Sequence, residues 1–372
     1  MSEQAIANRI YSDRIAKAQA ELDRQGVDFL VVGPSSDLFY LLGHPARTSE
    51  RLKVAVIPRQ GQAFVVVPTL EAPGLAERQD LVDLRRWDDT ANPIDLFAAG
   101  IGDARGKTIA VGDQLWSVFL LRMQAACPGA QFVSGAGVLK ELRVIKSADE
   151  LDLLREAGRR TDDAWAEFIE SATLAGRTET EVARHLAGLM EEHGLGAPAF
   201  MIVASGPGSA SPHHHTGERR IEEGDSVVFD FGGNIQGYKS DITRTVHVGE
   251  PPDEYRRVYD VVNRAREAAF AAVRPGAPCE SVDAAAREVI TQAGYGEYFI
   301  HRVGHGLGLD VHEEPYMVGG NAEPLRAGMV FSDEPGIYIP GRFGIRIEDA
   351  VACTETGGEF LNHATHELIV MH

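Results

Sequence analysis

SVVFDFGGNIQGYKSDITRTVHV, residues 226–248, sets a carboxylate inside an apolar run. Val227, Val228, Phe229 and Phe231 predict a buried strand, with Asp230 in its middle. The glycine-rich GGNIQGY predicts a hairpin turn, with Asp241 on the returning strand so that the two carboxylates take facing positions. Alternation then sends Asp241, Thr243 and Thr245 to one side and Ile242, Arg244 and Val246 to the other. Like charges brought together out of water are costly unless something cationic lies between them.

The same residue types recur downstream. FIHRVGHGLGLDVHEEP, residues 299–315, interleaves His301, His305 and His312 with Gly304, Gly306 and Gly308, which let backbone or ligand approach closely. MVFSDEPGIYIPGRFGIRIEDAV, residues 329–351, puts Glu334 before a Pro-Gly turn and Glu348 on the next strand. Alternation there directs Arg346 and Glu348 to one face and Ile345 and Ile347 to the other. Taken singly, each acid reads as a cap or turn residue, His301 as a core histidine, and the triplet His213, His214, His215 as a solvated loop. Their coincidence in one region points elsewhere. Carboxylate and imidazole without thiolate is a ligand set for Mn, Zn, Co or Fe(II), and four carboxylates roughly neutralise two divalent ions. Two such ions sharing a hydroxide supply a hydrolytic nucleophile at neutral pH, and they make a buried Asp230 tolerable.

The chain of 372 residues suits two domains, and its 44% hydrophobic and 24% charged content is that of an ordinary globular protein. A net charge of −19 argues against nucleic acid or an anionic membrane as partner. Cys127, Cys279 and Cys353 are scattered without a C-x-x-C pair, which fits neither a disulfide framework nor a thiolate metal site and points to the reducing cytoplasm. The N-terminal stretch lacks the basic-then-apolar pattern of a signal peptide, and no apolar run approaches the roughly 18 residues of a membrane span.

Residues 1–143 alternate helix and strand with no phosphate loop and no metal-ligand cluster, which predicts an α/β domain with a structural, oligomerising or substrate-gating role. From residue 144 to 372 the pattern is two helices then strands, twice over. The first helix of that region starts on a Ser147–Glu150 capping box, and the second opens near a threonine with Glu181 in its first turns. The expectation is a pseudo-duplicated α+β domain.

The ordered series SGPGSASPHHHTGERRIEEGDSVVFDFGG, YKSDITRT, GHGLGLDVHEEP, SDEPGIY and RIED resembles the pita-bread metallopeptidases, in particular the Xaa-Pro dipeptidase (prolidase) and Xaa-Pro aminopeptidase group. RIAKAQAELDRQGVDFLVVGPSSDLFYLLG is similar to the start of the creatinase-type N-terminal domain, so the resemblance covers nearly the whole chain. It implies an α/β creatinase-like domain over 1–143, a pita-bread catalytic domain over 144–372, and two divalent ions of the Mn²⁺ kind, with Co²⁺, Zn²⁺ or Fe²⁺ as alternatives. Their implied ligands are Asp230, Asp241, His305, Glu334 and Glu348, with Asp241 and Glu348 bridging. Glu334 is the implied general base, His312 the oxyanion donor, His213 the proton relay to the leaving amine, and His301, Tyr338 and Arg346 pocket residues. Thr245 is expected to hydrogen-bond a ligating carboxylate. The implied activity is hydrolysis of the Xaa-Pro bond of dipeptides or short peptides by a cytoplasmic homodimer. A related hydrolase or lyase of a non-peptide amide or small metabolite, or a catalytically silent binding protein, are the alternatives. Two positions depart from the family pattern. Asp333 stands where relatives carry an apolar residue, and Tyr316 where some strict dipeptidases carry an arginine for the substrate carboxylate, which weakens the dipeptidase reading against the aminopeptidase one.

Overall fold

The structure is a computed structural model that describes residues 3–45 and 47–372. These form two compact units, one ending at Arg143 and the other beginning at Val144. Among the described residues no helix is long and apolar enough to cross a membrane.

In chain order the first unit comprises α1 (Glu3–Gln25), β1 (Phe29–Val32), α2 (Ser36–Leu42), β2 (Val54–Pro58), β3 (Ala63–Pro68), β4 (Val82–Trp87), α3 (Pro93–Ile101), β5 (Thr108–Val111), α4 (Ser117–Ala126), β6 (Gln131–Ser134) and α5 (Ala136–Arg143). The strands form one mixed sheet in the order β4-β3-β2-β1-β5-β6. Its central strands are Val- and Ile-rich and buried on both faces, as strands covered by helices on each side must be. Val31, Val56, Phe97 and Ile109 belong to the core between sheet and helices.

The second unit begins with α6 (Ala148–Ser171) and α7 (Glu179–Glu192), followed by β7 (Phe200–Ser205), β8 (Ser226–Gly232), β9 (Asn234–Ile235), β10 (Tyr238–Lys239) and β11 (Ile242–Val248). It then repeats the order with α8 (Asp253–Ala272), α9 (Glu280–Gln292), β12 (Gly304–Gly306), β13 (Glu313–Met317), β14 (Val330–Asp333), β15 (Gly336–Ile339), β16 (Phe343–Arg346), β17 (Glu348–Cys353), β18 (Gly358–Phe360) and β19 (Ile369–Met371). Both α6 and α7 start on capping boxes, Ser147 with Glu150 and Thr178 with Glu181, each satisfying two orphan backbone donors. The main sheet runs β13-β12-β14-β17-β11-β8-β7. Strands that follow the first helix pair and strands that follow the second therefore meet at the β11–β17 boundary, giving the pseudo-duplicated α+β arrangement. Each helix pair covers its own part of the sheet. Trp165 and Phe168 pack on Phe229 and Phe231 under α6 and α7, and Tyr255 and Val262 join Phe331 and Ile345 under α8 and α9.

The β8–β11 register corrects one expectation. Asp230 opposes Thr243, so Asp241 is its diagonal neighbour on the same face and not its facing partner. The cause is the inserted β9–β10 ladder, which closes over Gln236 and Gly237, both at positive φ, and leaves Asp241 just short of the paired strand. The glycines of GHG have a separate reason. A Cβ at Gly304 would strike the Ser332 carbonyl oxygen and one at Gly306 that of Glu314, so both residues must be glycine for β12 to fit between β13 and β14.

Candidate active site

Five carboxylate and imidazole side chains converge from five strands or strand ends of the second unit. Asp241 precedes β11, Glu348 starts β17, and His305 is the middle residue of β12. These three are buried, and each offers a ligand atom within 4.8 Å of the others. Glu334 follows β14 and places Oε1 3.2 Å from His305 Nε2. Asp230 on β8 accepts a charge-assisted hydrogen bond from Arg346.

The surrounding donors fix the orientation of each group. Thr243 donates to Glu348, and Arg346 Nε donates to Thr243 Oγ1 at 3.0 Å. Ser332 Oγ donates to Glu334 at 3.1 Å and accepts from the His305 amide at 3.0 Å. His305 Nδ1 faces the Gly306 carbonyl at 3.2 Å, which leaves Nε2 aimed at the carboxylates. The expectation for Thr245 is corrected. Its hydroxyl donates to the Arg346 carbonyl at 2.7 Å, because β11 pairs with β17 through Thr243 opposite Glu348.

Negative charge dominates. Burial, together with the charges of neighbouring acids, holds Asp241 and Glu348 well above the ordinary carboxylate range. Burial also raises Asp230, against the pull of Arg346. Burial opposes charge on Glu334 and His305 as well, but their mutual hydrogen bond and attraction win, taking Glu334 down to about 2 and His305 up to about 9. This donor set fits divalent cations. It is buried, thiolate-free and rich in carboxylates that resist ionisation until positive charge is brought to them.

The cluster lines a cleft of about 1030 Å³ whose other walls include Phe200, Ile202, Val311 and Val318. His213, His301, His312 and Arg346 also line it. The His312 ring lies 3.8 Å from that of His305, centroid to centroid. Burial and the His305 charge push His312 down to about 4, so it is neutral at pH 7. Tyr338, expected in the pocket wall, is buried behind it; its hydroxyl meets His301 Nε2 at 2.9 Å and Arg346 Nη1 at 2.8 Å. Tyr338 thus braces two cleft residues.

Two residues near the cleft, Glu179 and Arg302, gave no functional signal in the sequence. Glu179, at the first turn of α7, is fully buried and accepts from Ser205 N at 2.8 Å, Ser205 Oγ at 2.6 Å, His214 Nε2 at 2.8 Å and Gly217 N at 3.0 Å. Although burial works to raise it, these donors hold its carboxyl below the usual range. His214 is therefore an anchor and not a solvated loop residue. With Thr216 accepting from Val203 N at 2.8 Å, the loop turns His214 and Thr216 inward and leaves His213 and His215 exposed along the cleft. Arg302 is the second residue without a signal, whereas Asp333 stood out in the sequence as a departure from the family pattern. Arg302 lines the cleft beside His301, and Asp333 is fully buried on the opposite face of the sheet.

Comparison with known proteins places this geometry. Residues 152–355 match metallopeptidase family M24, and residues 14–145 match the creatinase/prolidase N-terminal domain. The chain belongs to metallopeptidase family M24. Within M24 it is 45% identical to the probable dipeptidase PepE of Mycobacterium tuberculosis over 97% of both chains. The crystal structure of dipeptidase PepE from Mycobacterium ulcerans superposes with a TM-score of 0.93 at 44% identity, covering 98% of each chain. Prolidase from Thermococcus sibiricus gives 0.92 at 42% identity over 97% of this chain and 99% of that one. As an M24 enzyme the protein is a metal-dependent peptidase, built from a creatinase-type N-terminal domain and a pita-bread domain.

Proposed function

We propose that the protein hydrolyses the Xaa-Pro bond of dipeptides or short peptides, using two divalent ions held by Asp230, Asp241, His305, Glu334 and Glu348. The observation that carries this reading is the convergence of Asp241, His305 and Glu348 within 4.8 Å, with Glu334 beside His305 and Asp230 on the wall of the same cleft. Similarity to a prolidase over nearly the whole chain supports the choice of bond.

A bound ion pair would supply an activated water and a Lewis acid for the scissile carbonyl at neutral pH. The chain's own residues do the rest. Glu334, held by Ser332, accepts the proton of the attacking water. His312, neutral and beside His305, donates to the oxyanion that forms as the carbonyl becomes tetrahedral. His213 delivers a proton to the proline nitrogen, which must be protonated to leave. Thr243 and Arg346 hold Glu348 and Asp230 in place throughout.

We extend the reading to a cytoplasmic homodimer that uses Mn²⁺. The carboxylate-rich donor set and the buried, unpaired thiols of Cys127 and Cys353 support the metal class and a reducing compartment. The test is hydrolysis of Ala-Pro and Ala-Pro-Ala by chelator-treated protein before and after adding Mn²⁺. Metal-dependent release of alanine is the expected result; a metal-loaded protein that cleaves neither peptide overturns the Xaa-Pro reading.

A further inference from the structure

An oxyanion donor works only if it is in place before the charge develops. His312 is exposed along the cleft, and among the described residues its ring meets that of His305, 3.8 Å away between centroids, without a hydrogen bond to any group. Nothing bonded to the imidazole therefore fixes where its nitrogens point. That task falls to the backbone that carries it, residues 307–312, which join β12 to β13.

The next residue, Glu313, is the first of β13. Consecutive side chains entering a strand point to opposite sides, so a Glu313 anchored in the interior turns His312 out into the cleft. The Glu313 carboxylate folds back against the loop. Its Oε2 accepts from Asp310 N at 3.4 Å, and a Cβ on Gly308 would lie 2.6 Å from its Oε1, so the loop can pack on the carboxylate only with glycine there. Lys146 holds the same group: Nζ donates to Glu313 Oε1 at 2.7 Å, with 2% and 9% of the two side chains exposed. The lysine stands on a fixed base, because its own amide donates to the Gly328 carbonyl at 2.9 Å, in the turn that leads into β14. Strand β14 is in turn the neighbour of β12, which carries His305.

We infer that Lys146 is a positioning residue: through its ion pair with Glu313 it sets the loop that aims His312 at the scissile carbonyl. The inference rests on the role proposed above for His312 in Xaa-Pro cleavage. Apolar side chains of similar size could fill the same space at little or no loss of stability, but they would tolerate several loop geometries where the ion pair accepts one. That difference matters for rate, since a misplacement of about 1 Å at a reacting group can cost about 100-fold. Lys146 therefore acts on kcat through a side chain it does not touch.

The metal-loaded full chain should be compared with K146M and K146M/E313L on Ala-Pro. The double variant exchanges the buried pair for apolar side chains of similar size, so it keeps the fold even where K146M, with Glu313 left uncompensated, does not. Its kcat is expected to fall by about 10- to 100-fold, with KM changed by less than about twofold. An undiminished kcat overturns the inference. An H312A background separates positioning from a general structural defect: there the same double replacement should change kcat by less than about twofold, and a further fall of the original size overturns the inference. If H312A by itself leaves kcat intact, the inference and the oxyanion role fall together while Xaa-Pro cleavage stands. If the unaltered protein does not cleave Ala-Pro, the Xaa-Pro reading fails alone, and amide hydrogen exchange decides. Faster exchange over residues 307–313 in K146M/E313L, with β12 and β14 unchanged, supports the hold on the loop; unchanged exchange there removes it.

Discussion

Replacing Asp333 by valine should stabilise the protein. Asp333 ends β14 with its side chain pointing away from the cleft, fully buried, and neither carboxyl oxygen has a hydrogen-bond partner. Across the sheet it faces Asp349, which already holds Arg244 at 2.7 Å and His366 at 2.7 Å and has Arg266 at 3.8 Å. The cations of this face are engaged by Asp349, and burial drives the Asp333 carboxyl well above the ordinary carboxylate range. A buried polar group left unsatisfied costs about 1–3 kcal/mol. Valine removes that cost, suits a strand, and has a similar volume.

The gain should depend on pH in a definite direction. A carboxyl whose folded pKa is raised keeps its proton in the native state while the unfolded chain has lost its own. The folded protein therefore loses about 1.4 kcal/mol per pH unit as pH rises from the ordinary carboxylate range toward the folded value. D333V should accordingly gain more at pH 8 than at pH 5.5, with D333N following the same trend from a lower start, because its amide is also unpartnered. Urea midpoints of the metal-loaded protein at the two pH values measure this directly and keep the cleft acids out of the comparison. In a unit of this size each kcal/mol corresponds to about 2–4 °C in Tm. If D333V instead loses about 3 kcal/mol or more, the size expected for a broken buried ion pair, Asp333 is an ionised partner of Arg266 and the reasoning is wrong.

Two further perturbations test the cleft. E179Q keeps the shape of the buried anchor but sets an amide against four donors, so the loop of His213–Gly217 should exchange its amide hydrogens faster and kcat for Ala-Pro should fall by about tenfold or more with little change in KM; unchanged exchange in that loop would show that Glu179 does not position it. Chelator-treated protein should lose stability between pH 5.5 and 8.5, since the raised carboxyls of Asp241 and Glu348, and His305 at about 9, each favour folding only while they stay protonated. Saturating Mn²⁺ should reverse that slope, and a denaturation series in which metal leaves it untouched would count against these residues as ligands.

What the sequence made legible follows from periodicity. Strand alternation alone separated Arg346 and Glu348 from Ile345 and Ile347, and the structure puts the first pair on the cleft and the second in the core. It could not give register. Whether Asp230 faces Asp241 or Thr243 depends on how the intervening residues close, and Thr243 rather than Thr245 braces Glu348 for the same reason. Contacts between distant segments were further out of reach. Glu179 looks like a helix-start acid, although its partners are at Ser205, His214 and Gly217, and Arg302 looks like a flanking charge until Tyr316 is seen beneath it.

Register is also where the two faces of the sheet constrain each other. The central strands carry charge on both sides: Glu348 toward the cleft and Asp349 away from it, Asp241 toward it and Arg244 away. A slip of β17 by one residue would exchange Glu348 for Asp349 in the cleft and strand Arg244 among apolar side chains. Arg244 opposes that slip strongly. It is almost fully buried, pairs with Asp349, and donates to the carbonyls of Thr365 at 2.9 Å and Ala364 at 2.8 Å, while Asp349 also receives His366. A buried ion pair adds little net stability against an apolar alternative, but one that matches only in a single register excludes its neighbours. The ion pair on the far face thus fixes which carboxylates reach the near one, and the position of Glu348 beside Asp241 and His305 is set as much by Arg244 and Asp349 as by any residue in the cleft.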